Sequence, residues 1–526
     1  MKKVIVVLLA LLMVFSMFAC GSKEEKPAEK VATYAMAGGW NTLQPGHFAE
    51  TGYYGPIVWA SMYDSLVVVT GNGFEPRGAK EWKANEDNSV YTFKLDEKAT
   101  FSNGTPVKAS DWVFSAKLIA DADFSVDYTK LTVLFKGTDE VGLLKADEEF
   151  GVKALDDYTL EVALKTPMNL DSFLNTYNCY WYVLPEASFE GKSGKEIASS
   201  DFWNNPVCSG PFSVQEHIVN SSLTLIPNKD YHLGTPKLDK LVIEFLSATN
   251  FASSMMAGSV DYVYPAVDAK QGSALQEDDK INVTVSEDPA SSFFLMINNQ
   301  TVNKDVRLAM DMAVNKAAIV EALWGKGAVP VESIEVFGTE LYNNDLPNRY
   351  DPEAAKALLA KSGWDMNETL VFNCAAGLRE QFAAMVQADL QAIGMKVEVQ
   401  TVSVGALYGN SQKGTCHMIT GQGAPVMNPW YFAYNAYISG TLAGTSCTHN
   451  MDPYYEELEA KYNATTDKAE QLKIVMEYQQ YMYDNALIVP VAQSYAYTAV
   501  AKRLANVRPE LSAQCSDNFW EWDIVE

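Results

Sequence analysis

Two pairs of zinc-type ligands, Cys416-His417 and Cys447-x-His449, stand in the last quarter of this chain. Zinc takes cysteine thiolates and histidine imidazoles in fours. If Cys416 and His417 lie in a strand, their side chains leave on opposite faces and cannot both reach one ion, whereas residues two apart share a face. The metal candidates therefore reduce to Cys416, Cys447 and His449. A Cys416–Cys447 disulfide or free thiols compete with that reading, so no metal and no cofactor is expected. Two groups of aromatic residues could do a different job. Trp40, Tyr53, Tyr54 and Trp59 form one, and Trp430, Tyr431, Tyr434 and Tyr437 the other. Large rigid faces with polar tips suit a ligand clamp, and they suit a core equally well. Catalytic motifs are missing: there is no Gly-x-Ser-x-Gly, His-Glu-x-x-His, phosphate loop or Cys-x-x-Cys, and the five histidines show no spacing of a base. The chain does not read as an enzyme.

The 526 residues suffice for three or four units at roughly 150 residues each. A hydrophobic share of 48% indicates a folded protein, and a net charge of −26 disfavours nucleic acid and anionic membrane surfaces. Lys2 and Lys3 precede an apolar run from Val4 to Phe18, which is short for a bilayer span and suits a signal peptide over 1–19. Cys20 follows a small residue, Ala19, as in a bacterial lipoprotein cleavage box, with Met17 where leucine is usual. Cys20 is thus the expected lipidation site, and the charged stretch 20–30 a tether. The body is expected to be held at a membrane and to face outside the cytoplasm, in the periplasm or at the cell surface. The six other cysteines show no framework, so at most one or two bridges are expected.

The elements that must position any site begin with Val31 to Ala35, a short strand leading into the loop Gly38-Gly39-Trp40-Asn41. A helix is expected over Trp59 to Leu66 and a strand from Leu66 to Thr70. The stretch Val90 to Ala116 reads as strand, turn and helix. Tyr91, Phe93 and Leu95 alternate with Thr92 and Lys94, Asn103-Gly104 turns the chain, and Ser110 is placed to cap. Gly151 to Leu164 reads as a hairpin about Asp156-Asp157. Helices are expected over Asp305 to Ala322, from Asp351-Pro352, from Arg379 to Ile393, from Asp452-Pro453, and from Asp467 to Tyr483; strands are expected near Val283, over Phe293 to Ile297, Met395 to Val402, and Ala486 to Val491.

The wording of these blocks resembles the extracellular solute-binding proteins of family 5, the oligopeptide, dipeptide and nickel type. The resemblance rests on VYTFKLDEKATFSNGTPVKASDWVFSA, on Tyr63-Asp64-x-Leu66, on GVKALDDYTLEVAL, on NPVCSGPF from Asn205, on VRLAMDMAVNKAAIV from Val306 and on ALIVPV from Ala486, in that order. It implies a type II periplasmic-binding-protein fold of class α/β, with two lobes, a hinge, and an extra subdomain in the first lobe. On that pattern lobe I takes 31–72, 205–275 and 487–526, the extra subdomain 73–204, and lobe II 276–486, with the hinge strands near 275–290 and 486–492. It further implies a substrate-binding lipoprotein of an ABC importer. Such a protein, a monomer, captures a small solute between its lobes, an oligopeptide or dipeptide above all, and hands it to a membrane permease. The alternatives are a non-transport receptor or chaperone on the same scaffold, or a binder of a saccharide or metal chelate. The ligand-binding residues carried over are Trp40, Asn41, Tyr53, Tyr54, Gln422, Met427, Asn428, Trp430 and Tyr431. Peptide-binding relatives commonly place an aspartate before this tryptophan, where it meets the ligand's ammonium; here Gly421 to Pro429 holds no acid. A buried ammonium needs a charge partner. Either another acid serves, or the ligand has no free amine.

Overall fold

Among the described residues the strands form one eleven-stranded sheet, a separate four-stranded one and two two-stranded ribbons. The computed structural model describes residues 29–37, 39, 42–46, 54–70, 73–124, 131–267, 269–423, 446–512 and 516–525. The large sheet runs in the order Lys396–Val402, Thr369–Ala375, Met418–Gly423, Ile281–Ile297, Ile488–Ala501, Tyr262–Val267, Val31–Ala37, Lys240–Leu246, Ser222–Pro227, Phe212–Ile218. Ala328–Pro330 pairs on Ile488–Ala501. Two parallel sets sit at opposite ends of it. Val31–Ala37 pairs in parallel with Lys240–Leu246 and Tyr262–Val267, and Thr369–Ala375 with Lys396–Val402 and Met418–Gly423. The antiparallel ribbon of Ile281–Ile297 and Ile488–Ala501 joins them, with register shifts between Val285 and Ser291 and again between Phe293 and Phe294. The two strands read separately from Val283 and from Phe293 are therefore one strand of seventeen residues. Its bulges break the alternation that a sequence pattern relies on.

The buried side chains fall into distinct clusters. One gathers Ala32, Tyr34, Trp59 and Ile243 with Val500, Phe519 and Trp522. A second runs from Leu66 to Val183 and packs the four-stranded sheet Ala79–Ala84, Val90–Leu95, Thr159–Ala163, Val152–Asp156. Two more flank the other end of the large sheet, around Phe293 and Phe382 and around Phe294 and Tyr455. Val90–Leu95 buries Tyr91, Phe93 and Leu95 on one face, as alternation requires.

Several expected boundaries shift for identifiable reasons. The helix expected to be capped by Ser110 spans Ala109–Ile119 and starts after Lys108; Asp111 reaches back to accept the Lys108 amide at 2.8 Å and takes the Glu186 amide at 3.0 Å. The helix read from Trp59 spans Tyr54–Met62, because Asp64 is drawn out of helical geometry into a buried network. The single helix read from Asp305 is two, Lys304–Ala313 and Lys316–Leu323; the Asn315 side chain accepts the Ala318 amide at 3.0 Å and so caps a fresh start. Asp351 caps the helix Pro352–Leu359, and Asp467, read as the first residue of its helix, is the cap of Lys468–Asn485.

The network around Asp64 ties the first cluster to the second. Arg77 Nε donates to Asp64 Oδ1 at 2.8 Å, and Arg77 Nη2 to the Ala60 carbonyl at 2.6 Å. Tyr231 donates to Asp64 Oδ1 at 2.8 Å, while His232 bridges Asp64 at 2.9 Å and Asp96 at 3.1 Å. Arg77 is fully buried and stacks 5.6 Å from the Trp520 ring centroid. No helix among the described residues is long and apolar enough to cross a membrane.

Candidate functional site

The strand register fixes where a ligand can sit. Tyr262 pairs with Val500 and Val267 with Tyr497, so the first parallel set runs toward the middle of the joining ribbon. From the other side Met418 pairs with Ile297 and Gly423 with Ser292, so the second parallel set also runs toward that middle. The carboxyl ends of both sets therefore converge on residues 285–292 and 493–497. Ligands of open α/β sheets bind outside the carboxyl ends of the parallel strands, where the backbone turns away and leaves a crevice. The two segments picked from sequence leave from there: residues 38–46 follow Val31–Ala37, and residues from 424 follow Met418–Gly423.

Among the picked residues, Gln422 stands at the carboxyl end of Met418–Gly423, paired with Phe293. Its Oε1 accepts from Arg379 Nε at 2.9 Å, and its Nε2 donates to Ser291 Oγ at 3.2 Å. Tyr54 opens the helix Tyr54–Met62. Trp40, Asn41, Tyr53, Met427, Asn428, Trp430, Tyr431 and the lipidation candidate Cys20 lie outside the described residues. Trp59, weighed as a clamp, is core: it is 1% exposed, with its ring 6.1 Å from that of Tyr182.

Arg379 was not picked, and it carries the site's charge. It follows Gly377, whose φ of +84° turns the chain from the strand Thr369–Ala375 into the helix Leu378–Ala392. Among the described arginines, Arg77, Arg349, Arg503 and Arg508 pair with carboxylates. Arg307 gives its donors to the carbonyls of Val302, Asn485 and Ala486. Among the described residues Arg379 forms no ion pair with a carboxylate, and its buried Nη1 has no hydrogen-bond partner. Its hydrogen-bond partner Gln422 is neutral, and the Tyr408 phenol lies within its electrostatic reach. Burial pushes the Tyr408 phenol above its ordinary range, so that group stays neutral as well. A half-buried guanidinium without a counter-ion, at the positive end of a helix, is suited to a carboxylate supplied from outside. The signal in the sequence was positional: a cation in the first helical turn after a parallel strand. The aromatic count hid it.

The metal candidates do not assemble. Cys416 and Cys447 are buried in one apolar cluster with Phe294, Ile419 and Tyr455, and no disulfide joins them. The expected alternative of a Cys416–Cys447 bridge is therefore not formed, and Cys179, Cys208 and Cys374 are free as well. Burial pushes the Cys416 thiol up to about 11, which keeps it protonated. His449 Nε2 donates to the Ser411 carbonyl at 2.7 Å, and His417 accepts the Val371 amide at Nδ1. No group of three metal-type ligands forms among the described residues.

Gly421 holds the strand beneath Gln422 in place. A Cβ there would stand 2.1 Å from Phe294 Cε2. Gly421→Ala is expected to cost about 1–3 kcal/mol through overpacking and to displace Gln422; a denaturation midpoint equal to the wild type would contradict this packing.

Comparison with known proteins follows the same lines. The family model described as bacterial extracellular solute-binding proteins, family 5 middle, matches residues 73–444. The chain is 25% identical over 456 residues to the periplasmic oligopeptide-binding protein OppA of Salmonella typhimurium, covering 82% of this chain and 81% of that protein. Its fold is similar to that of the Bacillus subtilis oligopeptide-binding protein AppA in complex with a nonapeptide, with a TM-score of 0.79, 17% identity, and coverage of 95% and 100% of the two chains. The Agrobacterium protein AgaA in complex with agropinic acid matches with a TM-score of 0.78, 21% identity, and coverage of 94% and 99%.

Proposed function

The chain belongs to the bacterial extracellular solute-binding proteins of family 5, and from that premise we propose that it is the lipid-anchored substrate-binding component of an ABC importer. It captures a carboxylate-bearing solute, most simply a peptide, and delivers it to a membrane permease. The observation that carries this reading is the unpaired Arg379 guanidinium, held by Gln422 where the two parallel strand sets converge. The oligopeptide-binding relative supports a peptide. The fold alone leaves the ligand open, since a nonapeptide complex and an agropinic acid complex match it about equally. With no acid in Gly421 to Pro429, the ligand's amino end is either blocked or far from this segment, and a longer peptide held through its backbone meets that condition.

The two lobes move about the ribbon that joins them. We place the hinge where its register breaks, at residues 285–291 and 494–497, because broken pairing is where a ribbon bends most easily. Closure follows only if the ligand touches both lobes, since a ligand with equal affinity for the two states shifts nothing. The radius of gyration is therefore expected to fall when ligand binds. Equal radii with and without ligand, by small-angle scattering, would sink the reading. Native mass spectrometry of the purified protein identifies the co-purifying ligand: a peptide ladder supports the proposal, and a sugar or metal mass replaces it. The anchor is tested by Cys20→Ser, which is expected to move the protein from the membrane fraction to the soluble one; unchanged membrane association would remove Cys20 from its role.

A further inference from the structure

One irregular segment of the second half of the chain is held to the joining ribbon by a single buried side chain. Ala328–Pro330 pairs on the ribbon strand Ile488–Ala501, setting Ala328 against Ser494, Val329 against Gln493 and Pro330 against Ala492. The Val331 amide then donates to the Val491 carbonyl at 3.2 Å. From there to the helix Pro352–Leu359 the chain has neither helix nor strand. Stretches of that length without regular structure are uncommon in a compact domain and usually carry a task. Gln493, 0% exposed, spends its whole amide on this one. Its Nε2 donates to the Ile334 carbonyl at 3.0 Å and to the Glu335 carbonyl at 2.6 Å, and its Oε1 accepts the Phe337 amide at 2.8 Å. A second buried glutamine, Gln479 of the helix Lys468–Asn485, holds the same segment through the Ser333 hydroxyl at 2.7 Å, the Leu341 carbonyl at 2.8 Å and the Asn343 amide at 2.9 Å.

The strand register shows what Gln493 is fixed to. Ser291 pairs with Ser494, Ser292 with Gln493 and Phe293 with Ala492; the pairing is broken on both sides of this run, between Pro289 and Ser291 and between Phe293 and Phe294. Ala328–Pro330 flanks the run on one side, and Gly423 and Gln422, opposite Ser292 and Phe293, flank it on the other. The run is thus a block four strands wide between two breaks. We propose that Gln493 is the positioning residue of this block. By tying segment 331–337 to the ribbon it makes the three ribbon pairs move with the second lobe, and it leaves the bending to residues 285–290 and 495–497. The inference rests on the closure described above and narrows its hinge. The block carries Ser291 and Gln422, which hydrogen-bond each other and hold Arg379. Its rigidity keeps the proposed carboxylate site in one shape while the lobes open and close, so those groups are ordered before a solute arrives.

The test is hydrogen exchange of the ligand-free full chain, beside native mass spectrometry of the protein as purified. Gln493→Leu keeps the bulk and removes all three bonds. Gln493→Asn keeps an amide on a shorter reach and is the milder variant should leucine impair folding. Gln479→Leu unties the same segment from its helix and is the control for lost stability. Both Gln493 variants are expected to speed amide exchange about tenfold in 491–494 and in Met418–Gly423, and to lower the share of protein that carries a co-purifying mass. Gln479→Leu is expected to lower the urea midpoint and to leave both readouts at their wild-type values. Unchanged exchange in the Gln493 variants, or an equal shift in Gln479→Leu at the same midpoint loss, would make Gln493 ordinary packing and overturn the block. Scattering with a mixture of synthetic nonapeptides as the probe separates this from the closure: a wild type that never compacts removes the hinge, while exchange at 491–494 still decides the block.

Discussion

Arg379→Leu is expected to give a folded protein that purifies without its ligand. A charge-assisted hydrogen bond contributes about 1.5–3 kcal/mol, which is roughly ten- to hundredfold in affinity. Among the described residues the guanidinium pairs with no carboxylate, so the substitution leaves none of their acids stranded and stability should hold. Arg379→Lys keeps the charge and loses the planar fork that matches a carboxylate, so it should recover only part of the affinity. Ligand occupancy by native mass spectrometry, with circular dichroism as the control for folding, reads both. Wild-type occupancy in Arg379→Leu would remove the residue from the site, and with it the argument for an anionic ligand group.

Asp64→Asn is expected to have the largest effect on stability, about 3–5 kcal/mol, because it leaves Arg77 charged, buried and without its counter-ion. Asp64 also receives Tyr231 on the oxygen that takes Arg77 and His232 on the other, so the asparagine keeps one neutral acceptor and sets an amide N–H2 against one of its partners. The cluster further sets a pH dependence with two sides. Burial pushes the His232 imidazole down, but Asp64 and Asp96 outweigh it and hold it above 6.5. The histidine's contribution is therefore complete below about pH 6.5 and is lost as pH rises through its folded value. Asp64 runs the opposite way. Burial pushes its carboxyl up, yet Arg77 and His232 hold it below the ordinary value; its contribution is present above about pH 4 and is lost as pH falls through the lowered one. Urea midpoints measured from pH 4 to 9 should fall on the alkaline side for the wild type and flatten for His232→Gln. An unchanged midpoint in Asp64→Asn would show that the network is not needed for stability.

Much of the scaffold was legible because it follows local rules. Asp351 and Asp467 at their caps, Tyr91 to Leu95 on one face, and the hairpin about Asp156 all depend on neighbours in sequence. Failures came where a distant residue intervened. Asp64 leaves its helix for Arg77, and the Asn315 amide is taken by Asp389, on another helix, at 2.9 Å. The site was partly legible. Gln422 came from the family pattern, and it hydrogen-bonds Arg379, a residue that the pattern did not offer. Arg379 was hidden because its value lies in what it lacks: a lone arginine in a sequence with 66 acids gives no sign of being unpaired.

The composition of the first core decides the order in which this protein can be made. Tyr34 packs 6.0 Å from Trp522, and Ala32, Tyr34 and Trp59 share their cluster with Val500, Leu504 and Phe519. A chain that emerges amino end first carries the first half of this core through nearly its whole synthesis before the second half arrives. The cluster from Leu66 to Val183 draws on one continuous stretch and can form while the rest is still being made. Folding is thus expected to begin in the Leu66 to Val183 cluster and to finish when Ile488–Ala501 and Phe519 to Trp522 arrive to complete the ribbon and the first core together.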